Sequence, residues 1–442
     1  MNEMRSPRLD RNQDERSVRK IARPVCTTSE EPATFLAITG DHDAFQPVVD
    51  PATDYDILDR AYTNDPLPIW DDLRQRCPIA HTDRWGGSWL PTRYRDVQTL
   101  AKMVPDLSSI SGLVFDLPEG FDSELFTGPK GAAPISADPP EHTWTRKALL
   151  PHFTPKAAEA QRSYTKKVCA DLIESFIDQG KCDAASEYSE QITPKVILRV
   201  LGVDEDASGE VTDWVRNILT AGLEGTDWTR YWSLIRSFFA AELRERRSNP
   251  RNDLISSLAQ QQVNGTVLPE EVAVGMCALQ LVAGVDTTWS VISSAIWHFA
   301  TYPEDQRRLA ADSSLWPTAI EELLRFYSPV TVGRNAAKEI KYRGVTFQPG
   351  DKVLLNFPAA NHDPEVFEDP QAFRLDRVGN RHVAFGVGIH RCTGANLARM
   401  EIDVALQTWF QRVPHFVIED PAAVDWTGGG TRGPTSVPIL FR

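Results

Sequence analysis

One cysteine lies in a glycine-rich segment near the carboxyl end of the chain. Residues 385–394 read FGVGIHRCTG, and residues 395–410 have the apolar spacing of an amphipathic helix. Glycine allows a tight turn and a close approach of the backbone to a bulky group. Cys392 comes where this helix is predicted to begin, so unpaired amides and the positive end of the helix dipole favour its thiolate form. A thiolate on a rigid loop is a soft ligand for one open coordination position on iron.

Two other interpretations of this cysteine are open. Cysteine is among the most buried residue types, so an isolated cysteine such as Cys392 is more often a core residue than a ligand. Zinc is a competing metal because His382 and His390 lie close to Cys392 in the sequence. However, no Cys-x-x-Cys pair and no fourth ligand at a usual spacing accompany them, which disfavours zinc.

A second motif lies in the middle of a long predicted helix. Residues 283–288 read AGVDTT, within a pattern that continues without a helix breaker from Pro269 to Pro303. Such a helix is about 50 Å long and must cross the whole core. Gly284 costs about 1 kcal/mol relative to alanine inside a helix, so some feature should compensate for it. Small residues here, Ala283 and Gly284, would let a flat ligand approach the helix.

Two side chains of this motif could act in proton transfer. Thr287 can bond back to a backbone carbonyl and loosen the helix, which would make room for oxygen and water. Asp286 in apolar surroundings is a candidate proton relay. The alternative interpretation is that Asp286 is a satisfied polar group of the core and Thr287 an ordinary back-bonded threonine.

Two further pairs of charged or titratable residues are spaced to share a helix face. Glu322 and Arg325 are three residues apart, and His142 and Arg146 are four apart. An exposed ion pair of this kind would contribute little to stability. A buried pair is costly unless it is fully hydrogen-bonded, so burial would indicate a structural role.

Together these motifs resemble, in content and in order, those of the cytochrome P450 monooxygenases. The resemblance covers about residues 45–442 and matches the heme-thiolate loop, the oxygen-activation motif and the Glu-x-x-Arg pair of that family. It implies a mainly α fold with small β-sheets, in which a single triangular helical domain carries a small β-rich amino-terminal lobe. The absence of an apolar amino-terminal anchor resembles the soluble bacterial members.

The resemblance also implies a cofactor and the residues that hold it. The cofactor is heme b, iron protoporphyrin IX, with Cys392 as the iron ligand. Asp286 and Thr287 are the implied catalytic residues, and Glu322, Arg325 and Arg377 would shape the loop below the heme. The implied heme-contacting residues are His142, Arg146, Ala283, Gly284, Arg334, Phe385, His390, Cys392 and Gly394.

The implied reaction inserts one oxygen atom of O2 into a small or medium apolar substrate, by hydroxylation, O-demethylation or epoxidation. Residues 104–135 read as a long loop that would close the pocket. Its apolar residues would line the pocket or only pin the loop to the core. The full set of pocket candidates is Ile110, Leu113, Val114, Phe115, Leu279, Val282, Val330 and Val332.

Electrons would come from a separate ferredoxin and its reductase, since the sequence shows no flavin or iron–sulfur motif. Two other classes remain open on the same resemblance. One is a heme-thiolate enzyme that needs no electron partner, such as a peroxygenase, dehydratase or isomerase. The other is a non-catalytic heme sensor.

Composition excludes several classes of protein. The chain has 442 residues and a net charge of -14, which argues against nucleic-acid binding. No signal peptide or membrane-spanning run is evident, so the sequence predicts a cytoplasmic, monomeric protein without a membrane partner. The cysteines, at positions 26, 77, 169, 182, 277 and 392, show no framework spacing and are predicted to be free thiols.

Two regions are predicted along the chain. Residues 1–45 are polar and aperiodic, so we expect a disordered extension there and a heme-thiolate domain over 46–442. Within that domain, residues 78–82 and 88–92 flank Gly86-Gly87 as a hairpin. A helix is expected from Thr154 to Gly180. Residues 416–442 should form a terminal hairpin whose turn reaches the pocket.

Overall fold

The protein is described here by a computed structural model that covers residues 47–114, 127–224 and 228–442. The amino-terminal segment predicted to be disordered and the pocket candidate Phe115 lie outside these residues. The described chain folds mainly into α-helices with small β-sheets, so the predicted fold class is confirmed.

The helices vary from single turns to one that crosses the whole fold. In chain order they are α1 Pro51–Asp54, α2 Arg60–Asn64, α3 Leu67–Arg76, α4 Tyr94–Leu100, α5 Gly128–Ala132, α6 Glu141–Leu149, α7 Pro155–Glu159, α8 Arg162–Phe176, α9 Glu190–Leu201, α10 Ser208–Glu224, α11 Trp228–Ser248, α12 Leu254–Gln260, α13 Glu270–Thr301, α14 Pro303–Ala311, α15 Trp316–Phe326, α16 Phe357–Ala360 and α17 Ala395–Arg412. Prolines in the first turn of several of them, such as α7 and α14, suit positions where no amide donor is needed.

The strands are short and form several separate sheets. In chain order they are β1 Ile79–Thr82, β2 Ser88–Pro91, β3 Leu107–Ser108, β4 Lys181–Asp183, β5 Gln262–Val263, β6 Thr266–Val267, β7 Thr331–Ala336, β8 Ile340–Tyr342, β9 Val345–Phe347, β10 Lys352–Asn356, β11 Phe416–Ile418, β12 Asp425–Thr427, β13 Gly433–Ser436 and β14 Pro438–Phe441. The largest sheet has the order β1-β2-β10-β7-β3 and forms the small β-rich lobe with the amino-terminal helices.

Helix α13 is the centre of the fold, as the sequence predicts. It has 32 residues and carries Glu270 and Glu271 in its first turn, where acidic groups interact favourably with the positive end of the helix dipole. Among the described residues it is the one helix long and apolar enough to cross a membrane, with a mean hydropathy of 1.3 in its most apolar window. However, 61% of that window is buried by α9, α11, α17 and other elements, which is the environment of a core helix.

The hairpin predicted around Gly86-Gly87 is present. β1 and β2 pair antiparallel, with Ile79 opposite Pro91 and Thr82 opposite Ser88. Both glycines have positive φ, at 87° and 83°, a conformation that glycine adopts without steric cost. β10 pairs with β2 on one side and with β7 on the other, so the hairpin and β7 belong to the same sheet.

The described parts of the predicted loop over 104–135, residues 104–114 and 127–135, contain regular structure that the sequence does not predict. They contain β3, which pairs with β7, and α5, which packs on α13. A Cβ at Gly275 of α13 would lie 2.4 Å from the carbonyl oxygen of Gly131, so glycine is required where α5 approaches. Arg236 of α11 donates to the carbonyl of Lys130 at 3.0 Å. The carboxyl end of this loop is therefore held against α11 and α13.

Two further predictions need correction. The helix expected from Thr154 to Gly180 is divided into α7 and α8 and ends at Phe176, because residues 160–161 form a turn in which the Gln161 amide donates to the carbonyl of Ala158, three residues back. The free cysteines in the described residues are Cys169, Cys182, Cys277 and Cys392. Cys77 is disulfide-bonded, so the prediction of a free thiol is wrong at that position.

Helix α17 carries a buried carboxyl group that gives a test of stability against pH. Glu401 is 1% exposed, its Oε2 has no hydrogen-bond partner among the described residues, and burial raises the pKa of its carboxyl well above the usual value. A pKa that folding raises means that stability is full below the unfolded-state pKa and falls as the pH rises toward the folded-state pKa.

We therefore expect the isosteric change Glu401→Gln to stabilise the folded protein increasingly as the pH rises above about 4.5, the ordinary pKa of a glutamate carboxyl. The difference in unfolding free energy between variant and wild type should grow by about 1.36 kcal/mol per pH unit across that window. Denaturant unfolding of both proteins from pH 5 to pH 8 measures it. A difference that stays constant with pH would show that Glu401 is already ionised in the folded state.

Candidate active site

The Cys392 loop is a tight turn fixed by backbone hydrogen bonds. Gly386 and Gly388 have φ values of 66° and 74°, in the left-handed region that glycine tolerates. The amide of Cys392 donates to the carbonyl of Phe385 at 2.8 Å and closes the loop. Helix α17 then begins at Ala395, two residues after the cysteine's neighbour Thr393. The predicted arrangement of a glycine-rich loop at a helix start is confirmed.

The Cys392 side chain is accessible, in contrast to the buried thiols of Cys169, Cys182 and Cys277. The interpretation as a core cysteine is therefore wrong. Burial of the sulfur among protein atoms nevertheless raises the pKa of its thiol, against a hydrogen bond from the Gly394 amide and the nearby arginine charges. A sulfur that is open on one side and desolvated on the others suits a thiol that ionises when it binds a metal cation.

An accessible stripe runs along the otherwise buried helix α13. Leu279, Val282 and Thr287 are partly exposed and Ala283 is exposed, at positions that share one face of the helix. Their neighbours Ala278, Leu281, Val285 and Thr288 are buried. The stripe thus lines an opening inside the fold, and it is largely apolar.

Gly284 has a different role from the one that its sequence context suggests. A Cβ at this position would lie 3.0 Å from Cγ1 of Ile197 on α9. Glycine here therefore permits the close packing of α9 against α13, and it is Ala283 that presents the exposed surface. A contact between Gly284 and the heme stays a prediction.

Thr287 bonds back to its own helix. Its Oγ1 donates to the carbonyl of Ala283 at 3.0 Å, while α13 continues without interruption through this point. Thr193 of α9 donates to the carbonyl of Val285 at 3.0 Å, a contact that the sequence did not indicate. Two hydroxyl groups thus donate to nearby carbonyls of α13, and the predicted loosening of the helix at the motif stays a prediction.

Asp286 is a buried acid with uncharged partners. Burial raises the pKa of its carboxyl to about 6, against hydrogen bonds donated by Thr431 and Trp289. An acid with that pKa exchanges its proton readily near neutral pH. The structure is compatible with both interpretations of Asp286, and its role as a relay stays a prediction.

Thr431 belongs to a carboxyl-terminal turn that sequence reasoning placed at the pocket without naming its contacts. The turn is joined to the pocket wall: Thr331 donates its amide to the carbonyl of Gly430 at 3.0 Å, and Val330 forms a β-bridge with Thr431. A Cβ at Gly433 would lie 2.6 Å from the side chain of Ser290, so the turn also lies directly on α13.

Four basic or imidazole side chains gather beside the Cys392 loop. The rings of His142 and His390 are 4.3 Å apart, and His390 Nε2 lies 3.0 Å from Oγ of Ser109. Burial lowers the pKa of His390 to about 3 and the pKa of Arg334 to about 10. Arg146 is the fourth member of this group.

Two polar atoms of this cluster lack partners. His142 Nε2 and Arg334 Nε are buried and have no hydrogen bond to any described residue. Unsatisfied buried polar atoms are costly, and so is a buried guanidinium without a paired carboxylate, which is why burial lowers the pKa of Arg334. A group that brings two carboxylates would remove both penalties. The cluster, the apolar stripe of α13 and the accessible sulfur therefore fit a heme with its two propionates.

Arg146 reaches the loop itself. It donates to the carbonyl of Arg391 at 2.6 Å and lies 3.5 Å from Oγ1 of Thr393. The guanidinium thus holds the segment that carries Cys392. A contact between Arg146 and a propionate stays a prediction.

The predicted Glu-x-x-Arg pair is a fully buried network. Arg325 donates to both carboxylate oxygens of Glu322 at 2.8 Å, and Arg377 donates to both at 3.0 Å. Arg325 also donates to the carbonyls of Asn361 and Pro370, at 2.9 and 2.8 Å. The predicted burial and the third partner are confirmed, and the network fixes the segment that leads to the Cys392 loop.

The pocket candidates outside α13 differ in their surroundings. Val330 and Val332 are partly exposed on and beside β7. Leu113 lies against the same strand, since a Cβ at Gly333 would be 2.3 Å from its carbonyl oxygen. Val114 packs on the amino-terminal lobe, and Ile110 is 44% exposed. The contacts of Val114 agree with the alternative interpretation, in which this residue pins the loop to the core.

A zinc site is not supported. No group of three histidine, cysteine or acidic residues in the described parts of the chain could hold a metal ion. His382 is instead engaged by Glu321, at 2.9 Å.

Comparison with known proteins agrees with this geometry. The cytochrome P450 family model matches residues 224–421. A mycinamicin IV hydroxylase/epoxidase from Micromonospora griseorubida is 32% identical over 365 residues, covering 80% of this chain and 89% of the relative. A vitamin D(3) 25-hydroxylase from Pseudonocardia autotrophica is 31% identical over 368 residues, covering 82% and 90%. The crystal structure of CYP101J2 superposes with a TM-score of 0.80 at 27% identity, covering 91% of this chain and all of that one.

The extent of these matches, together with a site that fits a heme on a cysteine loop, shows that the chain belongs to the cytochrome P450 family of heme-dependent monooxygenases.

Proposed function

We propose that the protein is a heme-thiolate monooxygenase in which Cys392 would be the iron ligand and Asp286 and Thr287 would supply protons. The observation that carries the proposal is the pairing of an accessible cysteine on a rigid loop with an accessible, mostly apolar stripe on α13 that contains Thr287. Hydroxylation, O-demethylation and epoxidation are the reactions that this site could perform on an apolar substrate.

The heme, when bound, supplies the centre at which O2 is reduced and one of its oxygen atoms is transferred to the substrate. The chain's own residues hold it there. Arg334 would offset the propionate charge, the uncharged imidazoles of His142 and His390 would donate hydrogen bonds to the propionates, and Ala283 would leave room for the ring beside α13. The Gly394 amide donates to the sulfur and moderates its charge.

Proton delivery falls to the two polar residues of the motif. Thr287 Oγ1 faces the opening and can accept one hydrogen bond while it donates another. Burial raises the pKa of Asp286 to about 6, so near neutral pH its carboxyl group is protonated part of the time and can both take up and release a proton. Adjacent side chains of a helix do not face each other, so a proton would pass from the carboxyl of Asp286 to the hydroxyl of Thr287 through intervening water.

Replacement of Thr287 by alanine should separate electron consumption from product formation. We expect product formation to fall by roughly 10²-fold, the lower part of the range for loss of a proton-transfer group. Heme content and the substrate-induced spin change should stay, because the Thr287 side chain bonds to its own helix and not to the Cys392 loop or to the basic side chains beside it. Product and hydrogen peroxide are measured per electron supplied. Thr287→Ser keeps the hydroxyl and should retain coupling; equal yields in all three proteins would contradict the relay.

A ferredoxin with its reductase is the electron donor that we propose. Such donors are commonly acidic, and this chain carries a net charge of -14, so docking needs a local basic surface near the Cys392 loop. Lys147 and Arg391 are exposed at that loop and suit the role, whereas Arg146 is partly buried and engaged by the loop backbone.

Turnover in the presence of reduced ferredoxin, compared with turnover on hydrogen peroxide alone, tests this part of the proposal. Product formed only with ferredoxin supports a monooxygenase. Product formed equally with peroxide would identify a peroxygenase, and a heme protein without turnover in either condition would identify a sensor.

For the substrate we propose a neutral or weakly polar molecule. The described pocket candidates are aliphatic, and the relatives reported above are by name a mycinamicin IV hydroxylase/epoxidase and a vitamin D(3) 25-hydroxylase. Titrating the holoenzyme with a compound library and recording the iron spin state would identify binders. A response confined to charged ligands would contradict the proposed class.

A further inference from the structure

A second ion pair lies beside the Cys392 loop, one residue before the Glu-x-x-Arg motif. Arg399 of α17 donates to both carboxylate oxygens of Glu321 on α15, at 2.6 and 2.9 Å. His382 Nε2 lies 2.9 Å from the same carboxylate. This cluster, Glu321, His382 and Arg399, has no part in the roles assigned above.

The proton positions in the cluster follow from its geometry. The amide of Ala384 donates to Nδ1 of His382 at 3.2 Å, so Nδ1 is the acceptor and the proton is on Nε2. The uncharged ring then donates to Glu321. Burial acts to raise the pKa of Glu321, but the hydrogen bonds from Arg399 and His382 outweigh it and hold that pKa at about 2. The cluster therefore contains one ionised carboxylate and one guanidinium.

The guanidinium is aimed at the loop. Cζ of Arg399 lies 4.5 Å from the ring centroid of Phe385, the first residue of the Cys392 loop. That distance is within the range of a cation–π interaction. The carbonyl of Phe385 accepts the hydrogen bond that closes the loop at Cys392. Arg399 of α17 thus contacts α15 through two hydrogen bonds to Glu321 and the loop through the Phe385 ring. The planar, forked guanidinium group can make both contacts at the same time.

We propose that Arg399, held in place by Glu321, is a positioning residue that fixes the Phe385 ring and sets the electrostatic environment of Cys392. The inference rests on the proposed role of Cys392 as the iron ligand. A positive charge near the thiolate favours the ferrous state of the iron, and a negative charge favours the ferric state.

The reduction potential of the heme iron, measured by redox titration of the full-length holoenzyme without substrate, tests the inference. Arg399→Gln should lower the potential, because a positive charge is lost. Glu321→Gln should raise it, because the charge of Arg399 is no longer offset. Arg399→Lys keeps the charge without the planar fork, so its potential should lie between those of wild type and Arg399→Gln.

Arg162 provides a matched control. It is exposed to a similar degree, 39% against 29% for Arg399, and pairs with Asp403 of α17 at 2.7 Å without a ring contact to the loop. Arg162→Gln should leave the potential unchanged. Shifts of the same sign in Arg399→Gln and Glu321→Gln, or shifts no larger than that of Arg162→Gln, would overturn the inference.

The same experiment separates this inference from the proposed function. The carbonyl complex of the reduced wild type should absorb at the long wavelength that thiolate ligation produces. If that band is absent, the role of Cys392 fails. If the band is present and the potentials do not respond as described, only the role of Arg399 fails.

Discussion

Replacing Cys392 by serine should reduce product formation to the level measured without enzyme and remove the long-wavelength band of the reduced carbonyl complex. The reason is chemical, since a serine hydroxyl is not ionised at neutral pH and is a harder, weaker ligand for iron than a thiolate. The fold should persist, because the loop is closed by the backbone bond between Cys392 and Phe385 and by two glycines with positive φ. Circular dichroism and the carbonyl spectrum measure the two properties separately.

Cys182 offers a control for this substitution. It is a free thiol on β4, far in sequence from the loop and 7% exposed. Cys182→Ser should keep the carbonyl band and the activity. A Cys392→Ser protein that kept both would show that another residue binds the iron, and the proposed function would have to be abandoned.

The largest effect on stability is expected from Glu322→Gln. Glu322 is fully buried and accepts hydrogen bonds from Arg325, Arg377, the Arg374 amide and Asn380. Loss of its charge leaves two buried guanidinium groups without a counter-ion, and removing one partner from a buried pair costs about 3–5 kcal/mol. We expect a lower unfolding free energy by that amount and a reduced heme content, both measured on the purified protein.

Glu304 tests whether burial, and not the pairing itself, causes this effect. Glu304 and Arg307 have the same three-residue spacing, with a separation of 2.5 Å, but their side chains are 71% and 69% exposed. Glu304→Gln should change the unfolding free energy by no more than about 0.5 kcal/mol. Similar losses in both variants would mean that the Glu322 network is not the structural anchor described above.

The parts of the site that sequence patterns predicted are those carried by short, contiguous motifs. The Cys392 loop, the Thr287 back-bond and the pair of Glu322 with Arg325 depend on residues within a few positions of each other, so their chemistry is visible from spacing alone. Arg377 was found because a family pattern places it, although it is distant in the chain.

The parts that were missed depend on contacts between distant segments. Thr431 reaches Asp286 from the carboxyl-terminal turn, and Arg399 reaches Phe385 only after α15 and α17 have packed. No periodicity predicts such a contact. Gly284 shows a related problem. A glycine that makes room for a ligand and one that makes room for a neighbouring helix look the same in sequence, and at Gly284 the neighbour is Ile197 of α9.

The segment over 104–135 was predicted as a loop because its helical part is too short to show a period. Helix α5 has five residues, two of them glycine and one proline, and it is held by contacts with α11 and α13 and not by its own propensity. Tertiary packing therefore decides the structure of this region.

The carboxyl-terminal turn has a consequence for attempts to redesign the enzyme. The backbone of Thr431 forms a β-bridge with Val330, and the Thr431 hydroxyl donates a hydrogen bond to Asp286. A mutation that enlarges the cavity at Val330 will therefore also displace a partner of the buried acid. Variants selected for bulkier compounds at this wall should be screened for wasted reducing equivalents as well as for new products.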